Sequence, residues 1–152
     1  MNAARSFRDL RVYRDAFRVA QRVFALSQTW PKVERYSLTD QIRRSSRAVC
    51  ANLAEAWHKR PYPRHFASKL TDAEAETGET KAWLDFAVAS GYLERSAYEA
   101  LDADCDRVIG GLVKMRTNPA PWCGPSHVRE PEAGYAAGPF SPAPMPPSSP
   151  AP

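Results

Sequence analysis

Tyr98-Glu-Ala-Leu101-Asp-Ala-Asp-Cys105-Asp-Arg-Val108-Ile-Gly-Gly-Leu112-Val-Lys-Met115 sets an apolar side chain at every third or fourth position. Steps of three and four return to one side of a 3.6-residue helix, so Tyr98, Leu101, Cys105, Val108, Leu112 and Met115 share a face. Ser96 with Glu99 reads as a capping box at the start, and Asn118-Pro119 ends the pattern, giving a helix over about 97–116. One amphipathic helix cannot bury its own stripe, so the partners must lie upstream.

Three further stretches supply them. Residues 9–29 carry Leu10, Tyr13, Phe17, Ala20 and Phe24 at helical spacing and stop at Trp30-Pro31. Residues 38–57 carry Leu38, Ile42, Val49, Leu53 and Ala56; Ser37 with Asp40 reads as a capping-box-like start, and Pro61 and Pro63 end the run. Residues 64–90 carry Phe66, Leu70, Ala73, Leu84 and Val88, with Thr77 and Thr80 on the same face. Pro63 suits the first turn of that helix and Gly91 its C-terminal cap, while Gly78 inside it reads as a point of close packing. The expected fold is all-α, an up-down-up-down four-helix bundle over residues 1–118. From Pro119 to Pro152, eleven of 34 residues are proline. Such a segment propagates neither helix nor sheet and buries too little to offset its ordering entropy, so residues 119–152 are expected to be a disordered Pro-rich C-terminal tail. Its Pro139-Phe-Ser-Pro142 and Pro144-Met-Pro-Pro147 have polyproline-ligand spacing, which this composition produces by itself.

Charge is unevenly spread. Residues 5–64 hold fourteen Lys/Arg against five Asp/Glu, and residues 65–118 hold six against ten. A polyanionic partner or pairing between the two halves would use that asymmetry. No apolar run reaches the roughly 18 residues of a membrane span, and no leader-like apolar stretch opens the chain. Cys50, Cys105 and Cys123 have neither disulfide-framework nor zinc-site spacing. A cytoplasmic location is expected.

Several segments together resemble a known family: Phe7-Arg-Asp-Leu-Arg-Val-Tyr13, Leu38-Thr-Asp-Gln-Ile-Arg-Arg-Ser-Ser46, Asn52-Leu-Ala-Glu55, Lys69-Leu-Thr-Asp-Ala73, Glu79-Thr-Lys-Ala-Trp-Leu-Asp-Phe-Ala87 and Gly91-Tyr-Leu93. Residues 7–118 resemble the "four helix bundle protein" family, also called the 23S rRNA intervening-sequence protein family. The family usually has glycine where this chain has Ala56. The resemblance implies a helical bundle that assembles into a five-fold ring, a homopentamer. It brings no enzyme activity and no cofactor. The family also resembles the accessory protein of diversity-generating retroelements, a basic pentamer that binds a reverse transcriptase and nucleic acid, which makes RNA, DNA or such a protein the implied partner.

The residues offer matching candidates. Arg11, Arg14, Arg18 and Arg22, with Arg8, fall on one side of the first helix, interrupted only by Asp15 and opposite the Leu10/Phe17/Phe24 face. Like charges at such spacing disfavour an isolated helix by about 0.2–0.5 kcal/mol per pair, a cost that phosphate or a neighbouring subunit's acidic face would offset; the bland alternative is a solvated charged face. Arg43, Arg44 and Arg47 on the second helix join this nucleic-acid-binding set. The Lys59–His65 loop mixes cations with Tyr62 and reads as a solvated turn or a stacking contact. Gln41 and Asn52, with Ser45 and Glu55, read as polar groups that fix helix register. Glu76, Glu79, Trp83 and Phe86 form a second surface off the core stripe, expected at an oligomer interface. Glu55-x-x-His58 has di-iron spacing, but such sites need two units, so no metal site is expected. No catalytic constellation or glycine-rich phosphate loop is present.

Overall fold

The spacing of small and branched side chains decides how the helices meet. In the computed structural model, which describes residues 3–124, α1 spans Arg11–Ser27, α2 Asp40–His58, α3 Pro63–Ala89, α4 Arg95–Thr117 and α5 Ala120–Cys123. Each long helix packs on the next and α4 returns against α1, closing the expected up-down-up-down bundle.

The chain's punctuation sets the boundaries. Ser6 caps a 3-10 turn at Phe7–Asp9 before α1, and the Asp9 carboxylate returns to accept from the Ser6 amide at 3.1 Å. Pro63 occupies the first turn of α3. At the other end of α3, Gly91 takes φ +77°, so that the Tyr92 amide reaches the Ala87 carbonyl at 2.9 Å and the Gly91 amide the Val88 carbonyl at 3.1 Å. This is a Schellman closure that a residue with a Cβ would resist. The Ser6 box was not expected from sequence, and the two capping boxes that were expected are absent. Ser37 lies within a π turn, Arg35–Thr39, that runs straight into α2, and its hydroxyl donates to Glu34 instead. α4 begins at Arg95, behind Glu94, with no side-chain cap.

Inside the bundle Phe66, Ile42, Leu53, Leu70, Leu84, Leu101 and Leu112 are almost fully buried, each contributing about 1.5–3 kcal/mol. These apolar residues form two clusters. One, at the end holding the start of α1, centres on Leu53, Phe66, Leu70 and Leu112; the other centres on Val23, Ile42, Leu84 and Leu101. Between them lies a layer of hydroxyls and small side chains. Ser45 and Thr80 share a buried hydrogen bond of 2.9 Å across α2 and α3, while the Thr77 and Ser46 hydroxyls donate to carbonyls of their own helices.

α1 corrects the sequence reading. Its buried face is Val12, Ala16, Val19, Ala20 and Val23, whereas Phe17 and Phe24 are 49% and 38% exposed. Only small and β-branched side chains let α1 come close to α4, where Val12 packs against Gly111. The rings of Tyr13 and Phe17 stack instead along the flank toward α2. A second correction concerns Pro119–Gly124, assigned to the tail on composition. Ala120–Cys123 among them form α5, flanked by Pro119 and Gly124, and Trp122 and Cys123 pack on the first cluster. The polyproline-like spacings, and the expectation of disorder from residue 125 onward, lie outside the described residues.

Candidate nucleic-acid interface

With Val12, Ala16, Val19 and Val23 turned inward, Arg11, Arg14 and Arg18 stand on the outer side of α1, exposed, and Arg22 is half-buried at its edge toward α4. α4 adds Arg107, one helix away. Arg11, Arg14, Asp15, Arg18 and Arg107 line a shallow depression of about 310 Å³. Few carboxylates neutralise it. Arg18 meets Asp15 at 3.5 Å, and Asp104 serves both Arg22 at 3.7 Å and Arg107 at 3.0 Å. Arg11, Arg14 and the nearby Lys114 of α4 have no ion-pair partner among the described residues. Next to the depression a cleft of about 560 Å³ opens between the start of α1, the last turns of α4 and α5, with Trp122 on its wall.

The three α2 arginines do not join that face. Arg43 and Arg47 lie on the α1 side over the Phe24 ring, 4.7 and 5.3 Å from its centroid, and Arg43 also donates to Ser27 at 2.8 Å. Arg44 turns the other way, toward α3, and donates to Glu79 at 2.7 Å and to Glu76 at 3.4 Å. The Arg44 hydrogen bond holds the Glu79 carboxyl below the usual glutamate range, helped by the Trp83 indole N–H at 3.2 Å. The seven arginines grouped by sequence therefore occupy three separate settings, and Glu76 and Glu79 are engaged by the subunit's own Arg44.

The rest of the second surface stays open. Trp83 is half-buried and its ring lies 5.9 Å from that of Phe86, which is 60% exposed. Among the polar register residues, Ser45 makes the buried interhelical hydrogen bond. Asn52 bonds back to Ala48 of its own helix at 3.0 Å, and Gln41 is half-buried at the edge of α2. Glu55 crosses to α3 and pairs with Lys69 at 2.6 Å, while His58 sits edge-on to Phe7. In the Lys59–His65 loop, Arg60 folds back on the Trp57 ring at 3.5 Å, and Tyr62 tilts against His65. Among the described residues no three His, Cys, Asp or Glu side chains come together in a way that could hold a metal. All three cysteines are free, and burial pushes the Cys50 thiol up to about 11 and Cys105 to about 12. No described helix is long and apolar enough to cross a membrane.

Sequence reasoning missed Arg107, Lys114 and the cleft. Arg107 follows Asp102, Asp104 and Asp106 in the sequence, so its charge reads as locally balanced. The signal for the cleft was the Gly110-Gly111 pair, which strips side chains from one turn of α4.

Fold and surface together define a four-helix bundle with a basic face along α1 and α4. The chain belongs to the 23S rRNA-intervening sequence protein family, whose model matches residues 8–114. Among solved structures it is similar to a protein of unknown function from the S23 ribosomal protein family of Bacteroides thetaiotaomicron. The two share 25% identity and superpose with a TM-score of 0.63, over 70% of this chain and 95% of that one. No curated protein sequence matches significantly.

Proposed function

We propose that this protein is a non-enzymatic, self-associating cytoplasmic bundle that binds nucleic acid by gripping its phosphate backbone along the α1–α4 face. One observation carries the reading: Arg11, with Arg14 on one side and Lys114 on the other, stands without carboxylate partners among the described residues, as do both neighbours, while most acidic groups of α3 and α4 are engaged inside the subunit. Glu76 and Glu79 hold Arg44, Asp102 and Asp106 hold Lys81, and Glu74 holds Arg116. That intrasubunit pairing weakens the rival reading, in which the acidic half of one subunit neutralises the basic half of the next. A family named for ribosomal RNA intervening sequences agrees with an RNA partner. The contacts are electrostatic and position the strand without reading bases. The exposed Phe86 beside Trp83 supplies an apolar patch for self-association, closing into a ring as the family resemblance implies.

Filter binding to random-sequence RNA across a salt series tests the reading. The expected result is a linear fall of log K with log salt. The combined Arg11→Gln, Arg14→Gln and Arg18→Gln variant is expected to lose binding. Undetectable affinity at low salt, or affinity indifferent to salt, overturns the proposal.

A further inference from the structure

The cleft beside the basic face has a different chemistry from the depression it adjoins. Its floor is apolar, made by Leu10, Val12 and Met115 with Trp122 on the wall; Gly111 lets Val12 pack close to α4, and Gly110 leaves open space beside it. A Cβ on Gly110 would meet nothing within 4 Å. Arg11, Arg107 and Lys114 stand on its rim, and the first two also line the arginine-rich depression. An apolar slot with cations at its mouth, opening onto a basic track, matches one polyanion in particular. A single strand offers flat apolar faces between its charges. A duplex keeps those faces stacked inside and presents only phosphates and groove edges.

The rim also carries two carboxylates, Asp9 and Asp15. They repel phosphate, so a surface built for phosphate alone would gain nothing from them. One oxygen of Asp9 already accepts from the Arg5 and Ser6 amides, and one oxygen of Asp15 faces Arg18. The remaining oxygens suit a donor, and a ribose 2′-hydroxyl is a donor that DNA lacks.

We propose that this cleft receives an unstacked base of single-stranded RNA whose neighbouring phosphates lie on the Arg11, Arg14, Arg18 and Arg107 depression. The inference rests on the phosphate-binding reading above and adds the strand type and the sugar. The test compares three labelled probes by fluorescence anisotropy: an unstructured RNA oligonucleotide, the same sequence as an RNA duplex, and its single-stranded DNA counterpart. Base stacking in an aromatic-walled site is worth about ten-fold, so the single-stranded RNA is expected to bind about ten-fold tighter than the duplex. The DNA strand is expected to fall several-fold below the RNA.

Gly110→Leu puts an apolar side chain into the slot from a position where a Cβ meets nothing within 4 Å. It should abolish the single-strand preference while leaving duplex affinity and the thermal melt intact, and Trp122→Ala should reduce the same preference. Equal affinity for strand and duplex, or a preference that survives Gly110→Leu, overturns the inference and leaves the phosphate-binding proposal standing. A DNA strand that binds as well as RNA overturns the assignment to RNA. If the unaltered protein binds none of the three probes, both proposals fall together.

Discussion

At position 111 a Cβ would stand 3.1 Å from Cγ2 of Val12, a buried side chain with little rotamer freedom to retreat. At position 78, in an exposed turn of α3, it would meet nothing within 4 Å. The sequence offered Gly78 as the point of close packing, but the contact belongs to Gly111, because a glycine's neighbours across the bundle cannot be read along the chain. The two positions should answer the same substitution with opposite signs. Gly78→Ala is expected to stabilise by about 1 kcal/mol through helix propensity, raising the melting temperature by roughly 4 °C. Gly111→Ala is expected to lose that gain against Val12 and lower the melting temperature; a calorimetric scan of both settles the pair. Cys105 gives a second prediction at this scale. Its thiol is held neutral by burial, with its pKa raised from the ordinary 9.0 to about 12. A raised thiol pKa favours the fold while the group stays protonated, so its contribution is whole below pH 9 and drains away as pH climbs from 9 toward 12. The reactive thiolate is correspondingly scarce near neutrality. Maleimide at pH 8 should therefore leave Cys105 unlabelled in the native protein and label it promptly in denaturant.

Among the helices, α2 and α4 were the most legible. Leu38, Ile42, Val49, Leu53 and Ala56 are all buried as their spacing required, and so are Leu101, Cys105, Val108, Leu112 and Met115. α1 was ambiguous because apolar residues occupy two adjacent sides of it. Size favoured the aromatics in the pattern, whereas the narrow gap to α4 admitted only valine and alanine. The arginine stripe survived this rotation, since it lies away from both sides. The α2 arginines were grouped with it on charge alone, and their separation depends on which neighbouring helix each one faces. That difference is measurable. Arg14→Ala should reduce the slope of log K against log salt by about one phosphate contact. Arg44→Ala should leave the slope unchanged, because its guanidinium already serves Glu76 and Glu79. With the Arg44 side chain 52% exposed, each of these ion pairs contributes at most about 1 kcal/mol to stability, so the variant is expected to remain folded for the comparison.

For the molecule as a whole, the bundle and the order of its four long helices were written in hydrophobic period and proline punctuation. The cleft was not, since it arises where the ends of three segments meet. Assembly is a property of this scale too. Phe86, 60% exposed on α3, should anchor contacts between copies. On the proposed self-association, Phe86→Lys is expected to shift sedimentation toward the monomer without altering the helical circular dichroism signal, and an unchanged sedimentation profile would remove Phe86 from any contact between copies. The hydroxyl layer at Ser45 and Thr80 reaches furthest. It divides the interior into two greasy compartments joined at a polar waist, so either end has a path to loosen while the other holds. Deuterium uptake should then sort the amides into two protection classes that part near the middle of every long helix, and the end that breathes first is the one through which a partner can lever the molecule.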